Sequence, residues 1–216
     1  MSVKNNRQRT TKWYDGFLYN KVITPFEGEI MILVDELIPI GSTVIDIGCG
    51  PGSLVLELST KCKRVTGIDV SKRMIAYART QKEKMGATNV RFVCEDASKM
   101  KSIHDEQFSF AIVCLCLHGM SWKIRQDVIK NCFSLSQKVI LADFVSPFPK
   151  NIIGAAQTLL EVIEGRESYV NFKEWQRQGG IDGFIKQMGL NVIEEKHWAD
   201  GFGKTSLVSR KPVKRN

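Results

Sequence analysis

The sequence has no apolar stretch long enough to cross a bilayer. Its longest run, Phe110–Leu117, falls well short of the roughly 20 residues a spanning helix needs and reads instead as a buried parallel strand. The opening residues Met1–Lys12 are polar and basic and lack the apolar centre of a secretory signal, which predicts a soluble cytoplasmic protein. The six cysteines, Cys49, Cys62, Cys94, Cys114, Cys116 and Cys132, lack the paired spacing of a disulfide framework. Cys114 and Cys116 are expected to alternate on one strand face as small buried hydrophobes. CxxC spacing is absent, so no metal is expected. Acidic residues are outnumbered, 23 to 31, for a formal net charge of +8, which raises the question of nucleic acid. Much of the excess lies at the ends: Lys4, Arg7, Arg9 and Lys12, then Arg210, Lys211, Lys214 and Arg215. A nucleic-acid platform would interleave aromatics with such residues. Only Trp13 and Tyr14 come close, so the ends read as solvated tails. Repeats, linkers and low-complexity segments are also missing, and residues 1–216 read as one domain.

What is present is a regular alternation of strand and helix from Thr43 onward, the pattern of a parallel α/β sheet. Ile30, Leu33, Val34 and Leu37 repeat with helical spacing within an N-terminal segment 1–40, and Pro39 with Gly41 ends that helix. Thr43–Ile47 and Arg64–Ile68 read as the first two strands. Ser71 is an N-cap for a helix burying Met74, Ile75, Ala78 and Met85. Asn89–Cys94, Phe108–Leu117 and Lys138–Ala142 make strands three to five. Pro147 and Pro149 then interrupt the rhythm. Residues 145–177 read as a helical insertion whose first helix buries Ile152, Ala156, Leu159, Leu160 and Ile163, and whose second starts at Asn171 with Glu174 completing a capping box. Such an insertion is either a substrate cover or additional core. Ile181, Phe184, Ile185 and Met188 mark a last helix. Asn191–Trp198 and Thr205–Arg210 form a hairpin about Asp200-Gly201-Phe202-Gly203.

The chemistry concentrates in Asp46-Ile47-Gly48-Cys49-Gly50-Pro51-Gly52, between the first strand and its helix. Glycines let a backbone turn sharply and let a ligand approach where a Cβ would collide. The place, beyond the carboxyl ends of the strands, is where doubly wound sheets bind nucleotides. The turn is close to a dinucleotide fingerprint, and Asp69 at the end of strand two suits the ribose of either cofactor. Asp46 would crowd a pyrophosphate but suits an ammonium group. Asp96, ending strand three, can accept from an adenine amine.

Asp46–Gly52, Gly67-Ile68-Asp69-Val70-Ser71 and Cys94-Glu95-Asp96-Ala97 resemble the first three motifs of class I S-adenosylmethionine (SAM)-dependent methyltransferases. The similarity is closest to the small-molecule branch typified by ubiquinone/menaquinone methyltransferases, and Trp13-Tyr14-Asp15 is similar to the start of that branch. The resemblance covers Trp13 to Arg210. It implies a Rossmann-like doubly wound α/β fold with a seven-stranded sheet in the order 3-2-1-4-5-7-6, strand 7 antiparallel. SAM is the implied cofactor. Asp46, Gly48 and Gly50 would hold its methionyl end, Asp69 with neighbouring Val70 its ribose side, and Asp96 with Ala97 its adenine. Met74 would pack on the adenine or simply on the core, and Tyr14 and Tyr19 would close over the cofactor or simply pack.

Methyl transfer from a sulfonium needs alignment and exclusion of water, and a base only if the acceptor must lose a proton. His118, just past strand four, is the candidate base, with a strand-end structural role as the alternative. The aromatics Phe144, Phe148, Tyr169 and Phe172 are candidates to line an apolar acceptor pocket, or to be core. Motifs of amine-directed nucleic-acid methyltransferases, of cytosine C5 chemistry and of metal-dependent catechol enzymes are missing. A small-molecule acceptor is therefore expected. The competing readings are an RNA methyltransferase gripping phosphates with its basic tails, and a catalytically silent SAM-binding regulatory module.

Overall fold

A computed structural model describes residues 28–103, 105–149 and 152–211. Tyr14, Tyr19, His104 and the tails beyond Lys211 lie outside the described residues. Helix α1 occupies residues 28–37. There follow β1 (Thr43–Ile47), α2 (Ser53–Leu58), β2 (Arg64–Asp69), α3 (Lys72–Met85), β3 (Val90–Cys94), β4 (Phe110–Cys114), α4 (Trp122–Leu135) and β5 (Val139–Phe144). Then come α5 (Ile152–Glu164), α6 (Arg166–Arg177), α7 (Gly180–Gln187), β6 (Leu190–Trp198) and β7 (Gly203–Arg210).

The strands form one seven-stranded sheet ordered β3-β2-β1-β4-β5-β7-β6. The first five are mutually parallel, and β7 runs antiparallel to both β5 and β6. The expected architecture is found. Its cause lies in the alternation along each strand, which sends neighbouring side chains to opposite faces. Val44, Phe110, Ile112, Ile140 and Ala142 pack with α1, α2 and α3 on one face. Ile45, Ile47, Ala111, Val113, Val139 and Leu141 pack with α4 and α7 on the other. A parallel strand covered on both faces is apolar along most of its length, as β4 is throughout and β1 and β5 are apart from Thr43 with Asp46 and from Asp143.

Local chemistry sets the helix ends. The Ser71 side chain accepts from the Met74 N–H as the N-cap of α3, and Gly86 closes that helix in the left-handed conformation. Four expectations are corrected. Met85 is exposed on α3. Strand β4 stops at Cys114 because Leu115 turns to a φ of 47°, so Cys114 and Cys116 do not share a continuous strand. Asn171 does not start a helix: α6 begins at Arg166, after Gly165, and Asn171 is buried mid-helix with its amide donating to Gly119 O at 2.8 Å. Finally, Leu159 and Ile163 of α5 are exposed, while Gln157 and Glu161 face inward. Side chains at 152, 156 and 160 lie outside the description. No helix among the described residues is long and apolar enough to cross a membrane.

Candidate functional site

At the carboxyl end of β1 the sheet order changes direction, its neighbours being β2 and β4, and crossover connections leave a crevice there. The chain from Gly48 to Gly52 folds back over the end of β2. The N–H groups of Gly48 and Cys49 both donate to Ile68 O, at 2.8 and 2.9 Å, and Gly52 N donates to Cys49 O at 2.9 Å. Asp69 completes the link: its Oδ2 accepts from Gly50 N at 2.9 Å and its Oδ1 from Ser71 N at 2.7 Å. The resulting cleft, partly open to solvent, is lined by Asp46, Gly48–Pro51, Ser53 and Leu54, with Ile30 and Met31 of α1 on one side and Cys114 with Leu115 on the other.

The two expected cradle glycines are glycine for different reasons. A Cβ at Gly48 would come within 2.9 Å of Cys116 Sγ, so its partner is the protein rather than a ligand. Gly50, at φ +52°, faces open space with nothing within 4 Å of such a Cβ. Gly50 is where a ligand can come close.

Asp46 is buried to 2% exposure, and its Oδ1 has no hydrogen-bond partner among the described residues. Burial, with the charge of Asp69 second, pushes its carboxyl up to about 7. An unpaired buried carboxylate is expensive, and a cation in the cleft would relieve it. Asp69 is also raised, by burial, with the backbone N–H groups of Ser71 and Gly50 opposing. Val70 leaves a large apolar side chain 60% exposed just beyond β2. Asp96 accepts from Ser98 N at 3.0 Å and from Ser98 Oγ at 2.6 Å, capping the short turn Ala97–Lys99. Ala97 O accepts from Asn131 Nδ2 at 2.8 Å. Met74 is buried beside Ile75 and Ala78 on the inner side of α3.

On the β4–β5 side lies a second cluster. His118 Nδ1 is 2.7 Å from Asp143 Oδ1, and its Nε2 is 3.4 Å from Glu161 Oε1. Asp143 Oδ2 accepts from the N–H groups of Leu117 and His118, at 3.0 and 3.3 Å. The imidazole packs against Phe144 and Phe172, with centroids 4.8 and 6.1 Å away, and Phe148 meets both phenyl rings edge to face. Tyr169 is half-buried and, among the described residues, makes no ring contact with this aromatic group. Burial works against a charge on His118, but Asp143 and Glu161 outweigh it and raise its pKa well above 6.5. An imidazolium donates from both nitrogens and has no lone pair for a proton. His118 can act as a base only after releasing one.

Sequence reasoning missed Ile30, Met31, Cys114 and Leu115, and it missed Glu161 altogether. Leu115 was hidden because a leucine in the left-handed region has no sequence signal. Glu161 was hidden because a charged residue on an amphipathic helix reads as its solvent face.

Residues 44–138 match the family model described as a methyltransferase domain. The (S)-tetrahydroprotoberberine N-methyltransferase of Eschscholzia californica is 46% identical over 61 residues, 27% of this chain and 17% of that protein. The chain thus spans under a fifth of that relative's length. A ubiquinone biosynthesis O-methyltransferase of Coxiella burnetii is 28% identical over 155 residues, covering 65% of this chain and 64% of that protein. Among solved structures, magnesium protoporphyrin IX methyltransferase from Synechocystis PCC 6803 with bound SAH superposes with a TM-score of 0.62 at 19% identity, covering 91% of this chain and 86% of that one.

Proposed function

We propose that this chain, which has the class I methyltransferase fold and carries its methyltransferase-domain family match in residues 44–138, binds SAM in the cleft at Asp46–Gly50 and methylates a small-molecule acceptor. The observation that carries the reading is the orphaned Oδ1 of buried Asp46 beside that cleft. SAM fits this donor set, with its ammonium at Asp46, its ribose at Asp69, and its adenine between exposed Val70 and the Asp96–Ala97 turn. When bound, it supplies an activated methyl on a sulfonium.

The chain's own work is orientation. Gly50 leaves room for close approach, and Ile30 and Met31 of α1 shield the cleft from water on one side. Cys114 and Leu115 bound it toward β4, where the acceptor would meet the methyl. Alignment of this kind is worth several orders of magnitude in rate. His118, held between two carboxylates, shapes the acceptor wall with Phe144 and Phe172 and is not required as a base. A small organic acceptor is supported by the matched N- and O-methyltransferases.

Calorimetric titration with SAM, S-adenosylhomocysteine and NAD tests the reading. SAM and S-adenosylhomocysteine should bind, and NAD should not. Because the carboxyl of Asp46 lies near 7, its ionised, ammonium-accepting form grows as pH rises, so SAM affinity should climb about tenfold per pH unit below that point. It should level off above it. A flat profile from about pH 5 to 8 removes Asp46 from the ammonium site, and tight NAD binding without a response to SAM overturns the assignment.

Asp69→Ala should weaken SAM binding by about 1.5–3 kcal/mol, the scale of hydrogen bonds to a charged group. The same substitution frees Gly50 N and Ser71 N, so melting temperature is measured alongside. Unchanged affinity with a collapsed melting temperature would assign Asp69 to the turn alone.

A further inference from the structure

At its described positions helix α5 exposes aliphatic side chains and buries polar ones. Leu159, Val162 and Ile163 are more than half exposed, while Gln157 and Glu161 are buried, Glu161 completely. Burying a charged residue on a helix costs free energy unless a partner is waiting. Here the partners are specific. Glu161 Oε1 receives Gln157 Nε2 at 3.0 Å and faces His118 Nε2 at 3.4 Å, and Oε2 receives Ser168 Oγ of α6 at 2.7 Å. His118 is tied in turn to Asp143.

We propose that Glu161 is a positioning residue of the acceptor side, which by engaging His118 fastens the α5–α6 insertion over the ends of β4 and β5 and fixes the imidazole in the acceptor wall. The proposal rests on the methyltransferase reading for the word acceptor, but the coupling of Glu161 to His118 stands on geometry alone.

The groups around the ring are Asp143 from β5, Glu161 from α5 and, behind the Leu117–His118 backbone, Arg125 from α4, with Glu174 of α6 acting on Arg125. Three carboxylates stand against the two cations, so the negative charge of the cluster is held to one only while His118 is protonated. The sign follows. A histidine raised above its ordinary 6.5 contributes its stabilisation fully below that value and loses it as pH rises through the raised one. Deprotonation leaves Glu161 buried without its cation, so the insertion should loosen on the alkaline side.

The test uses the full chain labelled with ¹⁵N. The protein has three histidines, and His118→Gln identifies the resonance. Imidazole ¹⁵N shifts give the His118 titration midpoint, and hydrogen exchange, corrected for its intrinsic pH dependence, reports on residues 152–177. Glu161→Gln should lower the midpoint by about one pH unit or more and speed exchange in 152–177 about tenfold or more at neutral pH. Exchange in β1 and β4 and the affinity for SAM should stay close to wild type. In the wild type itself, corrected exchange of 152–177 should accelerate as pH passes the His118 midpoint. Faster exchange with an unmoved midpoint would make Glu161 a packing residue only and overturns the proposal, as does an unmoved midpoint with unmoved exchange. If Glu161→Gln does not fold, the wild-type pH series decides, and exchange flat through the midpoint is the overturning result. Failure of the wild type to bind SAM would sink the methyltransferase reading while leaving these measurements to judge the coupling by themselves. With an acceptor in hand, Glu161→Gln should raise KM for it more than it lowers kcat.

Discussion

Arg125→Ala should lower folding stability by about 3–5 kcal/mol, combining a large cavity with several abandoned hydrogen-bond acceptors. Arg125 is fully buried on α4. Its Nε donates to Leu117 O at 2.8 Å, Nη1 to Gln178 Oε1 at 3.0 Å, and Nη2 to Asn171 O at 2.9 Å. The guanidinium also lies over the ring of Trp175 at 5.0 Å. One side chain therefore joins the loop after β4 to α6 and to the entry of α7. Burial lowers its pKa, with Glu174 and Asp143 opposing, and it stays a cation at any physiological pH. Arg125→Lys should recover only part of the loss, because a single ammonium cannot reach acceptors arranged around a planar fork. Urea unfolding monitored by tryptophan fluorescence measures both variants. A loss below about 1 kcal/mol for alanine, the scale of an ordinary surface change, would show that water or relaxation replaces the guanidinium.

Gly50→Val should abolish measurable SAM binding, a loss of about 100-fold or more, by two additive effects. The position has φ +52°, a region that is costly for a β-branched residue. Any side chain there also projects into the open space of the cleft, where the ligand would lie. The protein should still fold, because that Cβ meets no atom of the described residues. Gly48→Ala is the informative contrast: its Cβ meets Cys116 Sγ at 2.9 Å, so stability should fall along with affinity. Calorimetry and thermal melting on both variants separate the two causes. Normal SAM affinity in Gly50→Val would mean that the turn faces away from the ligand.

Much of the sheet was readable because each parallel strand is a short β-branched or apolar run with a turn behind it, as in Thr43–Ile47 followed by glycines. The motif residues were readable for the same reason: Asp46, Asp69 and Asp96 are acidic residues standing at the ends of such runs. What was not readable depends on distance in the fold. Glu161 meets His118 across 42 intervening positions, and no local pattern announces that a glutamate between Leu160 and Val162 points inward. Leu115 failed for the opposite reason, since its neighbours on both sides continue an unbroken strand pattern while the backbone turns. Asn171 misled because a good N-cap residue sat three positions before a glutamate, although the helix had already begun five residues earlier at Arg166.

The place of β7 bears on how the chain is made. This strand, the last described element, lies between β5 and β6 and pairs with both. Its residues Thr205 and Ser206 are buried, as is Val208. Synthesis proceeds at roughly 5–20 residues per second, with folding under way as the chain emerges. During that time β1 to β5 can assemble in order, but the outer side of β5 has nothing to pair with until residues 203–210 leave the ribosome. An unpaired apolar edge such as Val139–Phe144 invites pairing with another chain. The nascent protein therefore carries this aggregation hazard late, and a truncated translation or degradation product stopping before Gly203 would keep that edge open permanently.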